Sequence, residues 1–166
     1  MNTFWSRSKN HDLRYLSNFE PVLLTIPNEF FIPSMKDKTF PSVENAFQAC
    51  KYAHSTNPVQ MCELETCTPK EAKSYGSKTG MKKRGIRLDV DAWNKVSYKC
   101  MEELLKIRIL CDERFRMIIQ LSDKPFFHIE TRPPYIWGGC MKNGVWVGHN
   151  RLGKILDDLK NNLVII

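Results

Sequence analysis

Three polar residues, Glu44, Gln48 and Lys51, follow Pro41-Ser42 at spacings i, i+4 and i+7, which on an α-helix form one stripe. A carboxylate in the first helical turn feels the positive end of the helix dipole. That suits a general base or a group that stabilises positive charge. Glycosidic-bond cleavage uses such a group: its transition state is oxocarbenium-like. A carboxylate can steady the sugar and activate the attacking water while the leaving nitrogen is protonated or hydrogen-bonded. Spacing alone describes a solvated Glu/Lys face more readily than an active site.

A second constellation lies near the C-terminus, where Trp137-Gly138-Gly139 is followed by Gly148-His149-Asn150-Arg151-Leu152-Gly153. Glycines let backbone approach a ligand, a helix N-terminus offers unpaired N–H groups, and the Arg151 guanidinium is a fork for phosphate or carboxylate. The stretch matches neither the Walker nor the dinucleotide fingerprint, and glycines before a helix more often make simple turns. Trp93, Tyr135 and Trp137 offer flat faces for a base, although such aromatics more often fill a core. His11, His54, His128 and His149 form no ligand pattern. Cys140 has no nucleophile signature around it. Lys78, Lys82, Lys83, Arg84 and Arg87 crowd into ten positions, a cluster that attracts phosphate or forms a solvated basic loop.

The elements that must position these residues are mostly helices. Val22–Ile26 and Phe30–Ile32, separated by Pro27-Asn28-Glu29 and closed by Pro33, predict an N-terminal β-hairpin. From Pro41 the apolar period changes to that of an amphipathic helix through Val43, Ala46, Phe47 and Cys50, with Ser42 as N-cap. Thr68-Pro69-Lys70-Glu71 predicts a capping box, and Gly76 a helix stop. A long helix capped by Asp89 or Asp91 runs to about Leu110. A shorter one spans Asp112–Leu121, a strand returns over Phe126–Glu130, and a terminal helix carries Leu152, Ile155, Leu156, Leu159 and Leu163. The expected fold class is α+β: a predominantly helical single domain over residues 1–166 with a small N-terminal β-hairpin.

Composition bounds the rest. The 166 residues suffice for one domain with its own core, and 42% hydrophobic with 26% charged residues is an ordinary globular balance. No run approaches the roughly 18 apolar residues of a membrane span, and the N-terminus lacks an apolar signal core. The expectation is a cytoplasmic protein without a membrane partner. Cys50, Cys62, Cys67, Cys100, Cys111 and Cys140 are scattered, which predicts reduced, mostly buried thiols and no metal site. The formal charge of +7 favours an anionic partner.

Taken in order, Ser17-Asn18-Phe19, Pro41-Ser42-Val43-Glu44-Asn45-Ala46-Phe47-Gln48-Ala49-Cys50-Lys51, Trp93, Tyr135-Ile136-Trp137-Gly138 and Gly148-His149-Asn150-Arg151-Leu152-Gly153 resemble the NADAR family, also called YbiA-like N-glycosidases. The resemblance covers nearly the whole chain. It implies a helix-rich domain that cleaves N-glycosidic bonds of ribosylated substrates without metal or other cofactor. Two substrate classes come with it: phosphoribosylamino-pyrimidine intermediates of riboflavin biosynthesis, and ADP-ribose on guanine, including guanine within nucleic acid. By the same resemblance Glu44 matches the catalytic carboxylate and Lys51 the motif lysine. Trp93 and Trp137 match pocket tryptophans, while Asn18, Phe19, Gln48, Gly138, Asn150, Arg151 and Gly153 line or shape the substrate site. The chain departs from the family pattern in having Asn45 where histidine is frequent, Gly76-Ser77 where glycine-arginine is frequent, and Gly139 where an acidic residue is frequent. Lys78 or another residue of the basic loop is a candidate to replace that arginine. Two mechanisms fit, hydrolysis directed by Glu44 and a Schiff-base route through Lys51. The alternative from another class is a non-catalytic reader of ADP-ribose or nucleic acid.

Overall fold

A computed structural model describes residues 1–163 of the chain, with Val59 as backbone alone. The chain divides into two compact units, one of residues 1–17 and 112–166, the other of residues 18–111.

The second unit is helical and holds the Glu44 stripe. Its strands β2 (Leu24–Thr25) and β3 (Thr39–Phe40) pair antiparallel, Leu24 opposite Phe40. Helix α2 (Val43–Tyr52) follows, begun by Ser42, whose Oγ accepts from the Asn45 N–H at 3.1 Å. After a 3-10 segment at Pro58–Glu65 come α3 (Pro69–Tyr75), α4 (Lys78–Lys83) and the long α5 (Val90–Cys111). The expected capping box is present on α3: the Glu71 carboxylate accepts from Thr68 N–H at 2.8 Å, and Thr68 Oγ1 accepts from Glu71 N–H at 3.3 Å. Of the two expected caps of α5, Asp89 is the one engaged, accepting from Ala92 N–H at 3.0 Å. Helix α2 packs on α5, α3 and the 3-10 segment.

Two expectations for this unit are corrected. Phe30–Ile32 is not the second strand of the hairpin; Thr39–Phe40 takes that place. Phe30 and Ile32 are buried as irregular chain leading into a 3-10 turn at Pro33–Met35. Pro27 and Pro33 bracket this segment and have no N–H to give a ladder. The basic stretch after Gly76 is not a loop throughout, because Ser77 caps α4, its Oγ accepting from Gly80 N–H at 2.9 Å.

The first unit joins distant parts of the sequence. Strand β1 (Asn2–Phe4) runs parallel to β4 (Phe126–His128), in register Asn2 with Phe126 and Phe4 with His128. Helices α1 (His11–Tyr15), α6 (Glu113–Leu121) and α7 (Arg151–Leu163) accompany this pair. Phe4, Leu16, Phe115, Ile119, Phe126, Leu152, Ile155 and Leu156 are all buried. The glycine-rich stretch before α7, read from sequence as turns, contains a hairpin of β5 (Cys140–Lys142) and β6 (Val145–Val147), with Asn143 and Gly144 at positive φ as its tight turn requires.

Only Cys50 and Cys100 of the six thiols are buried, fewer than expected, and none of the six is in a disulfide. Among the described residues no helix is long and apolar enough to cross a membrane, and no group of three or more His, Cys, Asp or Glu is placed to hold a metal ion.

Candidate active site

The stripe on α2 is not a solvated face. Every residue of α2 except Lys51 is buried, the polar Glu44, Asn45 and Gln48 included. A polar residue held inside a packed helix must either hydrogen-bond within the fold or retain its capacity for something else. These residues divide along that line.

Asn45 belongs wholly to the fold. Its Nδ2 donates to the carbonyls of Leu64 and Cys67 at 2.9 and 2.8 Å, and its Oδ1 accepts from Ser42 Oγ at 2.6 Å. It ties the start of α2 to the segment before α3. The asparagine that departs from the family pattern is thus a core bracket.

Glu44 is 8% exposed, and its Oε1 accepts from Gln48 Nε2 at 2.9 Å. Its N–H donates to the Asn18 carbonyl at 3.0 Å, which fixes the start of α2 against Asn18. Burial raises the carboxyl pKa above its ordinary value, opposed by the Gln48 hydrogen bond and the positive charges of Lys73 and Lys51. Lys51 is half-buried and donates from Nζ to the Gly76 carbonyl at 2.5 Å. Desolvation lowers its pKa, and the Glu44 charge works the other way. One carboxyl and one amine on the same helix are therefore both pushed toward neutrality, as at proton-transferring sites.

Around them, Lys73 of α3 places its ammonium over the Phe19 ring, 5.3 Å from the centroid. Asn18 is buried, donates to Met101 Sδ at 3.4 Å and keeps an unpartnered Oδ1; Gln48 likewise keeps an unpartnered Oε1. Trp93 is 8% exposed and packed against Phe47 and His54, with centroids at 5.1 and 6.0 Å. Most of its surface is already covered.

The structure thus brings Asn18, Phe19, Glu44, Gln48 and Lys51 together in the second unit. Lys73 carries no signal of a role in the sequence, and Gly76 reads there as a helix stop. A capping box and a glycine stop mark a helix and say nothing of which buried carboxyl that helix will face. Nor does the basic cluster act as one free group. Arg84 stacks on Tyr75, 3.9 Å from the ring centroid, and pairs with Glu63, while Lys78, Lys82 and Lys83 are exposed.

The remaining expected residues lie in the first unit. Asn150 sits at φ 52°, with its Oδ1 accepting from His128 N–H at 2.9 Å and its Nδ2 donating to the Phe126 carbonyl at 2.8 Å. A Cβ on Gly153 would stand 2.2 Å from that same carbonyl, and one on Gly138 would stand 2.2 Å from the His128 carbonyl. Gly138 N–H donates to the Glu130 carboxylate at 3.0 Å. Trp137 is half-buried, and its carbonyl accepts from the Leu152 N–H at 2.9 Å. Arg151 opens α7, and its guanidinium makes no hydrogen bond or ion pair among the described residues.

The protein is thus a helix-rich α+β chain with a buried, charge-countered carboxyl. The model of the NADAR domain matches residues 3–164, through both units, and the protein belongs to the NADAR family. The NMR structure of the E. coli protein YbiA is similar in fold, with a TM-score of 0.71 at 22% sequence identity, covering 98% of this chain and 84% of that one. No curated protein matches the chain.

Proposed function

We propose that the protein is an N-glycosidase that hydrolyses the ribose–nitrogen bond of a phosphorylated or ADP-ribosylated nucleotide, with Glu44 as the acting carboxylate. The observation that carries this reading is the state of Glu44: buried at the start of α2, held at one oxygen by Gln48 and countered by two lysines. Family membership supports the reaction class, and the match through both units supports treating residues 1–166 as one functional domain.

In the reaction the bond from the anomeric carbon to nitrogen breaks, its electron pair leaves with the base, and the departing nitrogen takes up the proton that Glu44 passes on from the attacking water. Water attacks the resulting oxocarbenium carbon and gives its proton to the Glu44 carboxylate. A carboxyl whose pKa is raised by burial is poised to take and return that proton nearer neutrality than an ordinary glutamate. The positive charges of Lys73 and Lys51 oppose that rise by favouring the ionised form. Direct hydrolysis is favoured over a Schiff base at Lys51 because the Lys51 ammonium is directed at the Gly76 carbonyl.

Phosphoribosylamino-pyrimidine and ADP-ribosylated guanine are the substrates to test, with released base followed by mass spectrometry. One of the two is expected to turn over, and Glu44→Gln to lose at least about a hundredfold while keeping the fold. Near-normal turnover in that variant would overturn the role of Glu44. Binding of ADP-ribose without release of base from any N-riboside would instead make the protein a non-catalytic reader.

A further inference from the structure

Gly76 ends α3 at φ −80°, ψ −3°. That is ordinary right-handed backbone, open to any residue, so the conformation does not explain a glycine there. Space does. A Cβ built on Gly76 would lie 1.7 Å from Gln48 Oε1 and 2.4 Å from Gln48 Cδ. The Gln48 amide occupies the volume a side chain at position 76 would need. With its oxygen covered against Gly76 and unpartnered, that amide has its nitrogen 2.9 Å from Glu44 Oε1. The Gly76 carbonyl, meanwhile, receives the Lys51 ammonium.

We propose that Gly76 is a positioning residue for Glu44: its missing side chain seats the Gln48 amide against the carboxylate, and its carbonyl oxygen holds Lys51 beside it. The atom in the way of a larger residue is the far end of a flexible side chain, so Gly76→Ala displaces Gln48 rather than breaking α3. The hydrogen bond to Glu44 is lost while the fold remains. This deepens the N-glycosidase reading, and for its catalytic consequence rests on it. The charged groups acting on Glu44 are Lys51 on its own helix and Lys73 on α3, and neither is altered by the substitution.

The test uses four full-length proteins, the wild type, Gly76→Ala, Gln48→Ala and the double variant, with the Glu44 carboxyl titrated by NMR on carboxyl-labelled glutamate. An amide N–H donated to the carboxylate holds its pKa down, so both single variants should titrate at higher pH than the wild type. The double variant should titrate with them, because either change removes the same hydrogen bond. On whichever N-riboside the wild type cleaves, each single variant should lose about tenfold in kcat and the double about tenfold rather than a hundredfold. A wild-type titration in Gly76→Ala, or a double variant whose shifts simply add, would overturn the proposal. If Gly76→Ala alone fails to fold, the double variant must fold, since the clash is then gone; failure of both also overturns it. The titration needs no substrate, so a protein that cleaves no N-riboside yet shows the shared shift would refute the function and leave the positioning intact.

Discussion

Two regions of this chain carry polar residues in the right order for a site, and they treat those residues in opposite ways. On α2, Glu44 and Gln48 are buried with hydrogen-bonding capacity left over: a carboxyl raised in pKa and an amide oxygen without a partner. Before α7, Asn150 is equally buried, yet both ends of its amide are engaged by the backbone of β4. Leaving a buried polar group unsatisfied costs about 1–3 kcal/mol. Glu44 and Gln48 leave hydrogen-bonding capacity unused, whereas Asn150 spends its own on the frame. Residue type alone does not distinguish them.

The largest effect that would sharpen this contrast falls on the frame. Asn150→Ala should strand the His128 N–H and force alanine into the left-handed region, destabilising by about 2–3 kcal/mol and lowering Tm by roughly 5–10 °C in calorimetry. A change of under a degree would show that the bracket is dispensable and would erase the difference between the regions.

A smaller effect of opposite sign is expected on α2. The folded-state pKa of Glu44 lies above its unfolded value. The stability associated with its neutral form is therefore present below the unfolded pKa and lost as pH rises through the folded one. Glu44→Gln removes that loss. Its Tm should exceed that of the wild type by about 2–4 °C at pH 7, with the gap narrowing toward pH 4. A lower Tm at pH 7 would mean that the ionised carboxylate stabilises the fold.

The smallest effect concerns the exposed lysines of α4. Lys82→Glu with Lys83→Glu should weaken apparent affinity for a phosphorylated substrate about two- to fivefold and leave turnover at saturation unchanged, because exposed charges act weakly and at long range. A change in turnover with affinity untouched would place these lysines in the chemistry.

What the sequence determined by itself is what four neighbouring residues can settle among themselves. Ser42, Thr68 with Glu71, Asp89 and Asp112 begin their helices because each side chain reaches a backbone N–H two or three positions on. The order of the blocks that resemble the NADAR family was also legible, and with it the fold class. Tertiary structure decided the rest. The 3.6-residue period placed Glu44 and Gln48 on a stripe but could not tell that neighbouring elements would bury that stripe as well. Strand β1 finds β4 more than a hundred residues away, beyond any local signal. Gly76 reads in sequence as a helix stop, and its backbone angles would accept another residue. Its reason for being glycine is the amide of Gln48, 28 positions earlier, a contact that exists only once α2 and α3 have packed.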